Sequence, residues 1–261
     1  MTDTVSSKGH RSPRHQQMVH VVLPAYNEQY GIGKLLDRLD EAMSEAGLSY
    51  RVIVVDDGSE DATSTIVNEY GRHMPIVMKQ HTVNQGLGAT IRDGLMMAVA
   101  SAEDRDVIVT MDADDTHAPG LILRMVRMIR EGRDVVIASR YHPEAQAYGV
   151  PLLRRFMSYV ASLLFRCVFP TRGVRDFTSG YRAYRTDVLR AAIGQYGSDF
   201  VDQDGFQCMV DILLKLRRTG LIFGEAPMVL RYDLKQGKSK MKVLQTARVT
   251  LMLLLRRRFS G

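Results

Sequence analysis

The segment VIVTMDADDTHAPGLI, residues 107–122, places four side chains able to bind cations within six positions: Asp112, Asp114, Asp115 and His117. They follow an apolar run directly, which predicts that they lie where a buried strand ends. Residues i and i+2 of an extended segment point the same way, so Asp112 and Asp114 could reach one ion. Mg²⁺ and Mn²⁺ take a few carboxylates together with substrate phosphate oxygens. Acids in this position also occur in loops and helix caps, and the pattern alone leaves both interpretations open.

A second acidic segment, DDGS at 56–59, also ends an apolar run. Acids at strand ends often accept hydrogen bonds from a ribose or a base. Alternatively, a side chain of this segment caps the helix that follows. A third strand end, PAYNE at 24–28, carries Tyr26, which could stack on a base, and Glu28, which could accept hydrogen bonds from base N–H groups.

The glycine-containing segment NQGLGATIRDG, residues 84–94, begins a predicted helix. It lacks the GKS or GKT ending of a Walker loop and does not match G-x-G-x-x-G. Gly86 and Gly88 instead predict a tight turn with close backbone approach. A nucleotidyltransferase would need a loop rich in glycine and basic residues after its first strand. PAYNE contains neither glycine nor a basic residue, which argues against that class.

Strands and helices alternate in the first half of the chain and would position these groups. Apolar runs predict five strands, and apolar residues at helical spacing predict helices between them, the first with Ile32, Leu35, Leu36, Leu39 and Met43 on one face. Apolar strands with helical crossovers form a mainly parallel sheet, so the predicted class is α/β, Rossmann-like and doubly wound, with helices on both faces. Ligands bind beyond the carboxyl ends of such strands. The five predicted strands are 20–26, 50–57, 76–81, 106–112 and 134–140.

The second half is less regular, and we find no repeat or linker in it. It is predicted to contain an apolar helix at 151–169, a polar loop at 174–185, an amphipathic helix at 204–220 with Phe206 inward, and a last helix at 241–258. The predicted organisation is a disordered arm at 1–18, one catalytic domain at 19–240 and an amphipathic C-terminal helix with a basic end at 241–261.

The composition is that of a soluble globular protein: 261 residues, 45% hydrophobic and 25% charged. The net charge of +6 suits an anionic ligand or an anionic surface, and we expect no nucleic-acid partner. Cys167 and Cys208 lie in separate apolar stretches, which excludes a zinc pattern or a disulfide framework and predicts core thiols. The polar N-terminal residues do not match a secretory signal. No run reaches the roughly 18 apolar residues that a membrane span requires.

Together, LPAYNE, VIVVDDGSEDAT, NQGLGATIRDG, VTMDADDTHAP and ASRY, in this order and spacing, resemble the family 2 inverting glycosyltransferases of GT-A fold. DFTSGYRAYR and GKSKM resemble its dolichol- or polyprenyl-phosphate mannose synthase-like branch. The resemblance covers about residues 19–242. It implies transfer of a hexose from a nucleotide sugar, GDP-mannose or a UDP-hexose, to a polyprenyl phosphate with the help of Mg²⁺ or Mn²⁺.

The resemblance also implies roles for individual residues. Asp112 and Asp114 would hold the metal that bridges the donor diphosphate, and Lys240 would add positive charge at the diphosphate or at the acceptor. Arg140, Arg154 and Ser158 would meet the acceptor phosphate, whereas Arg155 is expected on a solvated face. The residues expected to contact the donor nucleotide are Pro24, Tyr26, Glu28, Asp56 and Asp57.

Two positions depart from the family pattern and bear on which donor is used. Asp115 and Thr116 replace a Leu-Gln pair, so Thr116 or a water would stand in for the amide beside the metal. Leu234 stands three residues before Gly237, where the family tends to carry an arginine, and Arg231 lies three residues further back.

A hydroxyl acceptor on a glycan, a lipid or a natural product is the alternative, and it would require a general base. Asp202 and Asp204 resemble the acidic pair that hydroxyl-glycosylating members carry, although either could simply cap the helix at 204–220. The C-terminal helix, with Arg256–Arg258 at its end, suits either the core or an anionic membrane surface. We expect a cytoplasmic protein that is peripheral at the cytoplasmic face of a membrane.

Overall fold

The computed structural model describes residues 17–234, except for the side chains of residues 153 and 154. The predictions for residues 1–16, Lys240 and the C-terminal helix lie outside the described residues. The strands are β1 (Met18–Ala25), β2 (Ser49–Asp56), β3 (Ile76–Gln80), β4 (Val107–Thr110), β5 (Val135–Ser139), β6 (Gln146–Tyr148), β7 (Arg182–Arg185), β8 (Phe223–Pro227) and β9 (Val229–Arg231). The helices are α1 (Ile32–Glu45), α2 (Thr63–Tyr70), α3 (Leu87–Ser101), α4 (Leu121–Arg130), α5 (Leu152–Val168), α6 (Thr186–Tyr196) and α7 (Gln207–Leu216).

A seven-stranded sheet with the order β3-β2-β1-β4-β7-β5-β8 forms the centre of the molecule. All neighbours pair in parallel except β7, which runs antiparallel to both β4 and β5. The predicted α/β class with a mainly parallel sheet is therefore confirmed. Because the parallel strands run in register, with Ala25 opposite Asp56, their carboxyl ends open at one edge of the sheet.

Hydrophobic side chains cover both faces of this sheet. One cluster combines β1 and β2 with α1 and α4, and Ile32, Leu35, Leu36, Leu39 and Met43 of α1 are fully buried in it. The other cluster combines the opposite faces of the same strands with α3, α6 and α7. The helical spacing read from the sequence thus identified the buried face of α1 correctly.

Two burial predictions are wrong. Helix α7 begins at Gln207, later than predicted, so Phe206 precedes it and its side chain is 42% exposed. Cys167 is exposed although it lies in an apolar run, because only one stripe of α5 packs on the domain. Cys208 is buried as predicted, and this burial raises the pKa of its thiol to about 12.

Strands β6 and β9 form a small parallel sheet beside the acidic loop that follows β4. The amide of Arg231 donates to the carbonyl of Thr116 at 3.0 Å, and His117 forms an isolated bridge with Leu230. The chain therefore leaves β9 in contact with this loop. Among residues 17–234, no helix is both long enough and apolar enough to cross a bilayer.

Candidate active site

The carboxyl ends of the parallel strands β1, β2, β4, β5 and β8 open onto one cavity of about 1790 Å³. Its wall contains most of the residues that the sequence singled out, which confirms that these strand ends converge. The predicted site residues that line the cavity are Pro24, Tyr26, Glu28, Asp57, Asp112, Asp114, Arg140 and Ser158.

The acidic loop after β4 is held in shape by its own side chains. The hydroxyl and the amide of Thr116 donate to one carboxylate oxygen of Asp114, at 2.6 and 3.2 Å. Asp115 adopts a left-handed φ of 58°, which turns its side chain away from the cavity and onto Arg38 of α1 at 2.5 Å. Burial raises the pKa of Asp115, although Arg38 opposes that effect. Thr116 therefore orients Asp114, and Asp115 anchors the loop.

His117 supports the first acid of the pair. The Asp112 amide donates to Nδ1 of His117 at 3.3 Å, and Nε2 lies 3.9 Å from the Asp112 carboxylate. The imidazole is buried and stacks on Tyr181 with ring centroids 5.1 Å apart. This packing fixes the ring, so His117 orients the loop.

Asp112 and Asp114 suit a hard divalent cation. The Asp112 side chain is 43% exposed in the cavity wall. Among residues 17–234, no group of three or more His, Cys, Asp or Glu side chains is arranged to hold a metal. A pair of carboxylates fits Mg²⁺ or Mn²⁺, which complete their coordination with water and substrate phosphate oxygens.

Asp57 fastens the glycine-containing turn to the end of β2. Its carboxylate accepts hydrogen bonds from the amides of Gln85 at 2.8 Å and Gly86 at 2.9 Å. Asp56 is fully buried and accepts hydrogen bonds from the hydroxyls of Ser59 and Ser64. Because α2 has no side-chain cap, the capping alternative for this segment is wrong. Direct contact of Asp56 with a donor stays a prediction.

Gly86 and Gly88 allow the turn to press against the loop before α7. Gly86 has a φ of 91°, and a Cβ on Gly88 would lie 1.8 Å from the carbonyl oxygen of Gln203. The Gly88 amide donates to the Asp204 carbonyl at 2.9 Å. Asp204 itself lines the cavity, and α7 has no side-chain cap, so the capping alternative for Asp204 is also wrong.

Arg140 is clamped by a buried carboxylate. Its Nε and one terminal nitrogen donate to the two oxygens of Asp176, both at 2.8 Å, and the same terminal nitrogen donates to the Thr178 hydroxyl at 2.5 Å. Burial opposes ionisation of Asp176, but the Arg140 guanidinium lowers the pKa of that carboxyl. Burial likewise opposes the charge on Arg140, and Asp176 and Asp112 raise its pKa. A permanent cation therefore lies in the cavity wall within the field of Asp112.

Helix α5 meets the same part of the cavity. The hydroxyls of Tyr141 and Ser158 are 2.6 Å apart, so Ser158 lies next to the segment that carries Arg140. The side chain of Arg154 lies outside the described residues. Arg155 is exposed, as expected, and also lines the cavity, which its sequence context did not indicate.

Comparison with known proteins identifies the family. Residues 20–192 match the family described as Glycosyl transferase family 2. The chain belongs to this family. By fold, the family 2 domain resembles glucosyl-3-phosphoglycerate synthase from Mycobacterium tuberculosis, crystallised with Mn²⁺, UDP and phosphoglyceric acid, with a TM-score of 0.67 and 22% identity over 94% of this chain and 79% of that one.

Three curated relatives of this family 2 protein have related names. It is 33% identical to the undecaprenyl-phosphate mannosyltransferase of Micrococcus luteus, over 85% of this chain and 87% of that one. It is 30% identical to the polyprenol monophosphomannose synthase of Mycolicibacterium smegmatis, over 87% of this chain and 82% of that one. It is also 30% identical to the dolichol-phosphate mannosyltransferase of Pyrococcus furiosus, over 86% of this chain but only 59% of that longer protein.

Some residues of the family 2 site could not be found from sequence patterns. Asp176 lies within the motif DFTSGYRAYR, but no spacing connects it with Arg140, which is 36 positions away. Glu225 on β8 accepts hydrogen bonds from the amides of Arg175 at 2.5 Å and Asp176 at 2.8 Å, and thereby fixes the loop that carries the clamp. Only the adjacency of β5 with β7 and β8 brings these groups together.

Proposed function

We propose that the protein is an inverting glycosyltransferase that moves a hexose from a nucleotide sugar to a polyprenyl phosphate. The observation that carries this proposal is the position of Arg140. It is held by Asp176 in the cavity wall, beside Asp112 on one side and the Tyr141–Ser158 contact on the other. A fixed guanidinium between an acidic pair and a second polar group suits an acceptor phosphate facing a donor diphosphate.

An acceptor phosphate is already an anion near neutral pH, so its attack on the anomeric carbon requires no general base. The protein must then orient the reactants and stabilise charge. Arg140 uses Nε and Nη2 for the clamp, and Nη1 makes no hydrogen bond with any residue of the described part of the chain. We propose that Nη1 and the hydroxyl of Ser158 bind the acceptor phosphate, together with Arg154.

The donor would occupy the opposite side of the cavity. Tyr26 and Glu28 would contact the base and ribose, together with Pro24, Asp56 and Asp57. Asp112 and Asp114 would hold Mg²⁺ or Mn²⁺, and such an ion would supply positive charge to the leaving diphosphate. Attack from the side opposite the diphosphate inverts the anomeric centre. The names of the three relatives favour mannose as the sugar that is transferred. We propose GDP-mannose as the donor, and a UDP-hexose is the alternative.

Lys240 is proposed to stabilise the leaving diphosphate. Support comes from the end of β9, where the backbone amide of Arg231 donates to the carbonyl of Thr116 in the acidic loop at 3.0 Å. Lys240 follows nine residues later, and an extended chain covers about 3.3–3.6 Å per residue, so the intervening segment is long enough to return to the acidic loop. Arg231 itself is paired with Asp233 at 2.8 Å.

A lipid acceptor would also explain the apolar surface of α5. Several of its large apolar side chains are exposed, and most of them border the cavity at its Ser158 side. We propose that the enzyme is peripheral at the cytoplasmic face of a membrane, with this surface and the C-terminal segment facing the lipid; flotation with anionic vesicles tests this. The exposed side chains are Leu152, Phe156, Tyr159, Val160, Leu163 and Leu164.

The proposed function is tested by incubating the full chain with polyprenyl phosphate, Mn²⁺ and one radiolabelled donor at a time: GDP-mannose, UDP-glucose or UDP-N-acetylglucosamine. Label is expected to enter the organic phase from one donor. The matched control omits the acceptor, which separates transfer from hydrolysis. Failure of all three donors to label the lipid would contradict the proposal.

Transfer to a hydroxyl is the second candidate, because Asp204 lines the cavity and does not cap α7. If the acceptor is a phosphate, Asp204→Asn is expected to leave kcat within about threefold of the wild type. If it is a hydroxyl, loss of the base costs roughly 10²–10⁴-fold. Initial rates at saturating donor distinguish the two. Asp202→Asn is the control, since Asp202 faces Lys215 at 3.5 Å instead.

A further inference from the structure

His81 lies just after β3, buried between two carboxylates. Its Nδ1 is 2.7 Å from Asp57, and its Nε2 is 3.0 Å from Asp93 on α3. The His81 side chain is only 3% exposed. None of the steps proposed for the phosphate groups uses this histidine, although its partner Asp57 belongs to the cavity wall.

Asp57 connects His81 to the shape of the donor side of the cavity. The same Asp57 carboxylate accepts hydrogen bonds from the amides of Gln85 and Gly86. Two residues further on, the Gly88 amide donates to the carbonyl of Asp204. Asn84 and Gly86 line the cavity. A change in the position of Asp57 would therefore move one wall of the site.

Both imidazole nitrogens of His81 face carboxylate oxygens, an arrangement in which both can donate only when the ring is an imidazolium. Burial opposes that charge, but the hydrogen bonds to Asp57 and Asp93 outweigh it and raise the pKa of His81. Beyond Asp93, the charged groups are Lys79, whose ammonium is 2.7 Å from that carboxylate, and Arg92 at 4.0 Å.

His81 also borders a smaller pocket of about 410 Å³. The titratable groups that share this pocket are Tyr26 and Glu60. The groups within hydrogen-bond distance of the ring are the carboxylates of Asp57 and Asp93. The cations Lys79 and Arg92 contact Asp93 instead of the imidazole.

We propose that His81 is a positioning residue of the donor site, which holds Asp57, and through it the turn at Gln85 and Gly86, in the conformation that receives the nucleotide. This inference rests on the proposed nucleotide-sugar donor and adds a control of donor affinity to it. A neutral imidazole can donate to only one of its two acids. Loss of its proton therefore releases either Asp57 or Asp93 from the bridge.

The pH dependence follows from the direction of the pKa shift. The folded pKa of His81 lies above its ordinary value of 6.5. The bridge therefore contributes its full stability below about pH 6.5, and this contribution is lost as the pH rises through the folded pKa. Nucleotide affinity is expected to fall over the same window.

The test is calorimetric titration of the full chain with GDP and with UDP, each with Mn²⁺, between pH 6 and 9. Wild-type affinity is expected to fall roughly 3- to 10-fold across the window, as charge-assisted hydrogen bonds are lost. His81→Gln, whose amide is never charged, is expected to bind weakly at every pH without this dependence. Asp93→Asn is expected to move the midpoint to lower pH, because it removes one of the acids that stabilise the imidazolium.

His73→Gln is the matched control, since His73 is exposed and the chemical change is the same; it is expected to keep the wild-type profile. Wild-type-like binding and pH dependence in both His81→Gln and Asp93→Asn would overturn the inference, as would an NMR midpoint for His81 at or below 6.5. If His81→Gln does not fold, Asp93→Asn and the NMR midpoint decide. Absence of any nucleotide binding by the wild type would instead overturn the proposed function, and this inference with it.

Discussion

Replacement of Asp112 by asparagine is expected to lower kcat by roughly three orders of magnitude, equivalent to about 4 kcal/mol of lost transition-state stabilisation. The side chain keeps its size and its place beside His117. It loses the negative charge that, together with Asp114, suits a divalent cation at the donor diphosphate. Stability is expected to change little, because the Asp112 side chain is 43% exposed.

Initial rates at saturating donor and acceptor measure this loss. Mn²⁺ binding in the presence of nucleotide, followed by electron paramagnetic resonance, measures the metal site without turnover, and it is expected to weaken in parallel. Asp115→Asn is the matched control, because Asp115 faces Arg38 instead of the cavity and asparagine tolerates its left-handed backbone. Its kcat is expected to stay within about tenfold of the wild type. Equal losses in the two variants would show that the acidic loop acts only structurally.

Local sequence patterns predicted the site residues that lie at the carboxyl ends of the strands. An apolar run followed by acids identifies the end of a buried strand, and parallel strands bring such ends to one edge. Asp57 and Asp112 could therefore be assigned to one cavity from local sequence patterns, whereas the role of Arg140 came only from the resemblance to the family. The buried face of α1 was predictable for a similar reason, since the helical spacing of its apolar residues is a local property of the sequence.

The partners of these residues were not predictable, because the fold alone brings them together. Asp176 reaches Arg140 since β7 enters the sheet antiparallel between β4 and β5, an order that no local pattern encodes. His81 and Asp93 are 12 positions apart on different elements. Gly88 is required by the carbonyl of Gln203, which belongs to a loop more than a hundred residues later.

The apolar run of α5 predicted the burial of Cys167 incorrectly, because this helix exposes most of its described side chains. Helix α5 buries Ser162 and Phe165 but exposes Phe156 and Leu164 beside the cavity. Hydrophobic runs identify side chains that avoid water, and a lipid acceptor or a membrane surface satisfies that requirement as well as a protein core does. The exposed Cys167 lies on the same helix.

Replacement of Arg140 by methionine is expected to destabilise the fold by about 3–5 kcal/mol, because it leaves the carboxylate of Asp176 buried without its cation. Asp176 is 0% exposed, whereas the Arg140 side chain is 28% exposed in the cavity. The melting temperature is expected to fall by roughly 6–20 °C for a chain of this size. Transfer is expected to be lost as well, because the acceptor phosphate loses its fixed cation.

The double variant Arg140→Met/Asp176→Asn separates these two effects. Without a buried charge to leave unpaired, it is expected to regain much of the stability that Arg140→Met loses, which a double-mutant cycle on thermal unfolding measures. It is not expected to regain transfer, since Arg140 would contact the acceptor directly and Asp176 only holds it in place. Recovery of both stability and transfer would show that Arg140 stabilises the fold without binding the acceptor, and the phosphate site would then have to be assigned to other basic residues of the cavity wall, such as Arg155 or Arg175.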